Sequence, residues 1–216
     1  MRQAIHNSPV ESPQSFTGLI QLNIILASTS KIRRRILSNA GIEFSAVDPE
    51  IDEAKAKASM PEFPAQKVAL ELAKLKSLKI SSQNPTALVI GADQVLGSNN
   101  RIFNKPASRI DAEKQLLELR NAKHTLYSAI SCSLNGVEKW NHCAEAHLTM
   151  RNFTPNFLLH YLSGNPENYL SSVGGYKLEE TGIQLFEKVQ GDYFAILGLP
   201  MLPLLDFLRE QKAIPS

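Results

Sequence analysis

The order of apolar and amphipathic stretches predicts an α/β fold, and three observations carry that prediction. The first is residues 24–41, I-I-L-A-S-T-S-K-I-R-R-R-I-L-S-N-A-G. Its opening run of branched apolar residues ends at Ala27 without polar alternation, as in a buried strand. Two hydroxyls follow, Ser28 and Ser30, and then Ile32, Ile36, Leu37 and Ala40 fall at helical spacing until Gly41 stops them. The second observation is a helix opened by Pro64, with Val68, Leu72, Leu75 and Leu78 on one face. Pro85 breaks the chain after it, and residues 87–92, A-L-V-I-G-A, have the composition of an inner strand. The third is residues 124–150, where the period turns from helical to extended. Residues 126–134, the turn Asn135-Gly136 and residues 137–149 make a long antiparallel ribbon.

The other elements fall between these. Residues 44–47 read as a second short strand, and Ser98-Asn99-Asn100-Arg101 as a hairpin-like turn. Ser108 with Asp111 three residues on resembles a capping box at the head of a helix that runs to Leu119. Pro155 starts a short helix to Leu162, broken by Asn165-Pro166. After an apolar run over residues 183–189, Gly191-Asp192 turns the chain into residues 193–197. A last amphipathic helix carries Leu202, Leu205 and Leu208.

At 216 residues the chain suffices for a full hydrophobic core, as one domain or two closely packed lobes over residues 19–216. Residues 1–18 are polar and aperiodic and read as a disordered extension. With 43% hydrophobic and 20% charged residues, the composition points away from disordered and membrane classes. A net charge of +2 is too mild to argue for nucleic acid, so any phosphate preference must be local. Cys132 and Cys143 lie in consecutive predicted strands, and with no secretory signal the reading is a reduced, cytoplasmic setting.

Three stretches carry chemistry. A strand, a hydroxyl-lined turn at Ser28 and Ser30 and a basic helix aim backbone N–H groups and a positive helix end at one spot, which suits an anion such as a phosphate, with Lys31, Arg33, Arg34 and Arg35 adding charge around it. A serine cap with a solvated basic face gives the same pattern. The loop over residues 48–53 brings Glu50, Asp52 and Glu53 together, as a hard divalent cation requires or as a solvated loop allows. Asp93, behind small Gly91 and Ala92, ends the inner strand with room for a ligand, or makes a turn. Lys76 sits at the edge of its helix's apolar stripe, where lysines ordinarily snorkel. Lys105-Pro106 places a cation just before a stiff residue. In residues 173–183, Gly174-Gly175 before Tyr176 suit either a backbone that approaches a ligand or a mobile loop. A zinc reading of His142, Cys143 and His147 fails, because these residues alternate faces along a strand.

Taken in order, L-A-S-T-S-K-I-R-R, A-D-Q-V, Lys105-Pro106, G-G-Y-K-L-E-E-T-G-I-Q-L-F-E and Gly198-Leu199-Pro200 resemble the motifs of the Maf family of nucleoside triphosphate pyrophosphatases, over residues 22–208. The resemblance implies a twisted mixed sheet flanked by helices, in two lobes with a central cleft, similar to inosine triphosphate pyrophosphatases. It implies water attack on the α-phosphorus, which releases pyrophosphate and a nucleoside monophosphate in the house-cleaning of non-standard nucleotides. Ser28, Ser30 and Arg33 would hold the triphosphate, and Lys76 and Lys105 would face its phosphates. Asp93 matches the proton acceptor and Glu53 the acidic position beside the metal, so that these two would hold Mg²⁺ or Mn²⁺.

The sequence also departs from the family pattern. Lys31 and Ile32 replace the proline and first arginine of the usual S-x-S-P-R-R, and Arg120-Asn121 replaces a Ser-Gly. Gln94, Lys177 and Glu179 look like the branch acting on 7-methylguanosine triphosphate rather than on dTTP and UTP, with Gln94 and Glu179 as substrate-binding residues. That branch commonly has tryptophan where this chain has Ile32. The expected partner is thus a nucleoside triphosphate, not nucleic acid or a membrane, and a homodimer is left open. The competing reading is a nucleotide- or RNA-binding regulator of cell division without turnover. Against it, Glu53 and Asp93 would repel phosphate unless a metal stood between, and no basic and aromatic array tracks a strand.

Overall fold

The structure, a computed structural model, describes residues 22–215, so the extension assigned to residues 1–18 lies outside the described residues. Strand β1 (Ile24–Ala27) runs through the hydroxyl turn into helix α1 (Lys31–Asn39), which returns the chain to β2 (Ser45–Val47), parallel to β1. A short helix α2 (Glu53–Ala58) and a long one, α3 (Ala65–Gln83), lead to β3 (Leu88–Ser98), also parallel to β1. All later pairing is antiparallel. Strand β4 (Arg101–Phe103) folds back on β3; after α4 (Arg109–Leu119), β5 (Lys123–Leu134) joins β3 and β6 (Val137–Met150) joins β5. Helices α5 (Pro155–Leu162) and α6 (Glu167–Leu170) precede β7 (Phe186–Gln190), and α7 (Tyr193–Ile196) and α8 (Met201–Glu210) close the chain. The result is a seven-stranded mixed sheet in the order β2-β1-β3-β5-β6-β7, with β4 also on β3.

Local chemistry accounts for the joints. Asn99 and Asn100, and Asn135 and Gly136, all take positive φ, the conformation that two-residue hairpin turns require. Two apolar clusters occupy opposite ends of β3. One packs β1, α1 and the first half of β3 against α8; the other gathers Leu96 and Phe103 with α4, α5 and the far ends of β5 and β6. Strand β7 covers β6 only from His147 to Met150. The rest of that edge is guarded by a register shift at Cys132/Ser133 and by exposed Lys139, devices that discourage edge-to-edge pairing.

Three expectations need correction here. Helix α3 buries Val68, Ala69, Leu72, Ala73, Lys76, Ser77, Ile80 and Ser81, whereas Leu75, assigned to the apolar face, is exposed. The helix presents its small residues to the sheet and so lies close to it, and the face is displaced accordingly. On α8 the buried residues are Met201, Leu204, Phe207 and Leu208; Leu202 is exposed. Phe207 sets this face by stacking on Trp140 with ring centroids 4.9 Å apart. Strand β3 does not end at Asp93 but continues to Ser98, because β5 pairs with it throughout.

Candidate active site

The first turn is built around Arg33. Ser28, buried behind the last residue of β1, takes the Ser30 N–H on its Oγ at 3.2 Å, and the Oγ of Ser30 caps α1 by accepting the Arg33 N–H at 3.4 Å. The Arg33 guanidinium donates from Nε to the Gly198 carbonyl at 2.8 Å, and from Nη1 to the Ala92 carbonyl at 2.9 Å and Ser28 Oγ at 3.4 Å. Burial lowers its pKa while Asp93 and Glu53 pull it back, and a guanidinium so basic stays charged. Gly198 has φ +92°, and a Cβ there would lie 3.3 Å from Arg33 Nη2. The residue that turns the chain between α7 and α8 thus also makes room for the arginine.

Sheet register explains why a carboxylate lines the cleft here. One edge of β3 is paired with β1 from Leu88 to Gly91 and with β4 from Leu96 to Ser98. Between them lie Ala92, Asp93, Gln94 and Val95, where no described strand takes that edge. The Ala92 carbonyl is therefore available to Arg33, and Asp93 stands at a break in the sheet just beyond the carboxyl end of β1. Gly91, expected to leave room for a ligand, is instead turned to α3. A Cβ there would fall on the Ala73 carbonyl oxygen and lie 2.7 Å from the Ser77 nitrogen.

Close packing of α3 delivers Lys76 into this gap. Its Nζ bonds Asp93 Oδ1 at 2.6 Å and Glu53 Oε1 at 2.7 Å, and Lys76 and Asp93 are both buried. Glu53 stands not on a loop but in the first turn of α2, whose cap is Asp52 accepting the Lys55 N–H at 2.9 Å. Burial alone would raise the Glu53 pKa, but Lys76, with Lys57 and Lys105, holds it below the usual carboxylate value. Asp52 is thereby committed to capping, and Glu50 offers its backbone carbonyl to Lys79 at 2.8 Å. Lys105 lines the cleft ahead of buried Pro106; partial burial lowers its pKa against the pull of Glu53 and Asp93.

The third motif forms the opposite wall. Gly174 and Gly175 both take positive φ, but their close approach is to the core: a Cβ on Gly174 would meet Leu96 Cδ1 at 2.5 Å. Tyr176 OH pairs with Nε2 of buried His124 at 2.7 Å, so the stretch that carries Lys177 and Glu179 is anchored from below. Lys177 and Lys31 both approach Glu167 Oε1, at 3.8 and 3.1 Å. The Gln94 amide nitrogen donates to Ser128 Oγ at 2.8 Å and to the Ile196 and Ala195 carbonyls at 2.9 and 3.2 Å, which ties α7 to β3. Ser28, Ser30, Arg33, Glu53, Lys76, Asp93, Gln94, Lys105 and Glu179 all line one cleft of about 1300 Å³.

His124 supports a stability prediction. Burial pushes its pKa down to about 4, and its Nδ1 has no partner among the described residues. The folded ring takes up no proton until about pH 4, whereas the unfolded chain takes one near 6.5, so this contribution is complete above pH 6.5 and falls as pH drops toward 4. Denaturation at pH 7 and pH 4 is expected to show wild type losing about 3 kcal/mol more than His124→Gln. Equal losses would mean the ring is not held neutral.

A family model described as Maf-like protein matches residues 23–211. The chain belongs to the Maf-like family. Among its relatives, a nucleoside triphosphate pyrophosphatase of Paramagnetospirillum magneticum is 49% identical over 86% of this chain and 97% of the relative. A 7-methyl-GTP pyrophosphatase of Rhizobium johnstonii is 47% identical over 88% and 97%, and a nucleoside triphosphate pyrophosphatase of Hyphomonas neptunium 43% identical over 91% and 100%. A HAM1 protein from Coxiella burnetii aligns with 61% of this chain and 74% of its own at a TM-score of 0.40 and 16% identity, too slight a likeness to define the fold.

In the Maf-like chain several contributing residues lie outside the motifs that sequence reading singled out. Lys57, four residues after Glu53 on α2, bonds Asn104 Oδ1 at 3.0 Å beside Lys105, and its helical spacing from Glu53 was a readable signal. Glu167 and Ser128 had none, since each acts through a contact distant in sequence. No helix among the described residues is long and apolar enough to cross a membrane.

Proposed function

We propose that this Maf-like chain hydrolyses nucleoside triphosphates to nucleoside monophosphate and pyrophosphate. The observation that carries the reading is the pair Glu53 and Asp93, joined through Lys76 beside the Arg33 turn. A triphosphate must be neutralised before a nucleophile can approach its phosphorus. Arg33, Lys76 and Lys105 supply positive charge, while the Ser28–Ser30 turn supplies N–H groups at the positive end of α1. Asp93 accepts the proton of the attacking water, and Glu53 orients that water or shares the metal. The donor set fits Mg²⁺ or Mn²⁺, since Glu53 and Asp93 each keep one carboxylate oxygen outside the Lys76 bonds, and Mg²⁺ commonly takes one or two carboxylates plus substrate phosphates. When bound, the cation adds neutralising charge on the phosphate oxygens.

Glu179 serves as the base-reading group, accepting from the donors on the Watson–Crick edge of guanine and opposing the carbonyl oxygens of thymine or uracil. A carboxylate left facing an acceptor costs about 1–3 kcal/mol, roughly a tenfold to hundredfold preference. Gln94, with its amide nitrogen committed to α7, contributes mainly by fixing that wall. A cytoplasmic setting suits the free cysteines Cys132 and Cys143. Pyrophosphate release from a panel of nucleoside triphosphates, with and without Mg²⁺, tests the reading. Expected are Mg²⁺-dependent turnover, a higher kcat/KM for 7-methylguanosine triphosphate than for dTTP or UTP, and a narrower gap in Glu179→Gln. No release from any member of the panel would refute hydrolysis; a dTTP or UTP preference would refute only the role of Glu179.

A further inference from the structure

Two carboxylates from different elements, one in the first turn of α2 and one on β3, converge on a single ammonium. Lys76 Nζ lies 2.7 Å from Glu53 Oε1 and 2.6 Å from Asp93 Oδ1, and the lysine stem is buried in the face that α3 turns to the sheet. We infer that in the free protein the Lys76 ammonium fills the role of a bound cation between Glu53 and Asp93, and that a divalent metal enters only together with a triphosphate. The inference rests on the triphosphate reading above.

Charge balance supports it. Arg33 and Lys105 act on both carboxylates and Lys57 on Glu53, so that with Lys76 four cationic side chains act on this pair, while Asp48, Glu50, Glu167, Glu179 and Glu180 line the wider cleft. A bare dication approaching that pair and its four cations meets net repulsion, and no group of three His, Cys, Asp or Glu among the described residues offers it a closed site. Displacing Lys76 would leave a buried ammonium without its acceptors, a state far costlier than the intact pair. A metal–triphosphate complex reverses the sign. Its polyanion is drawn to Arg33 and the lysines, and its phosphate oxygens supply ligands that the protein lacks. Lys76 is on this account a positioning residue as well as a charge, because it fixes both carboxylates before any metal arrives.

The test is a Mn²⁺ titration of the full chain, read from the electron paramagnetic resonance signal of free Mn²⁺. Mn²⁺ alone is expected to show no saturable binding up to about 1 mM, whereas with a non-hydrolysable α,β-methylene triphosphate it is held at least about tenfold more tightly than by the nucleotide alone. Lys76→Met is expected to bind Mn²⁺ without nucleotide at least about tenfold more tightly than wild type, since both carboxylates lose the ammonium that bridges them and the positive charge around them falls by one. Saturable binding of Mn²⁺ alone to wild type at micromolar levels would overturn the inference, as would a folded Lys76→Met that gains no affinity. If that variant does not fold, the wild-type comparison with and without the analogue still decides the matter. Because occupancy is read rather than turnover, failure here is distinct from failure of the hydrolase reading, which pyrophosphate release decides.

Discussion

Asp93→Asn is expected to lower turnover by about a hundredfold or more while leaving the fold in place. Asparagine is nearly isosteric, and its Oδ1 can still accept from Lys76 Nζ, which also keeps its 2.7 Å partner Glu53. What disappears is the negative charge to which the proposed mechanism gives the proton of the attacking water. The backbone of residue 93 is held opposite Ala129 on β5, and its pairing is untouched by the change. The measurement is kcat for pyrophosphate release on the preferred triphosphate, beside a melting curve of each protein. A variant that turns over at the wild-type rate would show that the base lies elsewhere, with Glu53 the next candidate.

Gly91→Ala is expected to cost about 3 kcal/mol or more, because the added methyl group meets backbone rather than a movable side chain. Its Cβ would fall on the Ala73 carbonyl oxygen and lie 2.7 Å from the Ser77 nitrogen, so α3 as a whole must retreat from β3. Ser77 Oγ would be drawn away from Ser131 and Ser133, now 2.9 and 2.8 Å away, and Lys76 would lose its short contact with Asp93. Stability and activity are therefore expected to fall together. Gly97→Ala is the milder comparison: its Cβ would lie 3.2 Å from Ala65 Cβ and 3.3 Å from a ring carbon of Tyr127, contacts that need a far smaller displacement than those at Gly91. Urea denaturation of the two variants checks this, and a Gly91→Ala within 1 kcal/mol of wild type would mean that the helix seat is not tight.

Large apolar residues made much of this architecture readable. Ile24–Ala27 and the helix after it, and the ribbon with its Asn135-Gly136 turn, follow from patterns that need no partner to interpret. What escaped depends on contacts. Helix α2 is six residues long and buries none of them, so Glu53 looked like part of a loop. Helix α3 docks through Ala69, Ala73 and Ser77, and a search for bulky stripes put Lys76 at the edge of a face where it is in fact buried. Asp93-Gln94 interrupts an apolar run and reads as its end; only the register of β5 shows the strand continuing. The order of the motifs named the cleft residues through resemblance, but the gap between β1 and β4 that leaves the Ala92 carbonyl to Arg33 is a property of pairing and left no mark in composition.

The three oxygens that hold the Arg33 guanidinium belong to Ser28, Ala92 and Gly198, so its bonds join three segments far apart in sequence. This has a consequence during synthesis. Domains assemble from the amino terminus as they leave the ribosome, and contacts between distant segments form last. A nascent chain that already contains β1, α1 and β3 holds its arginine by two of the three acceptors and lacks the carbonyl that sets Nε. The Arg33 clamp therefore acquires its final shape only when Gly198 has emerged and docked. Until then, the growing polypeptide carries the parts of the proposed nucleotide site without the clamp that fixes them.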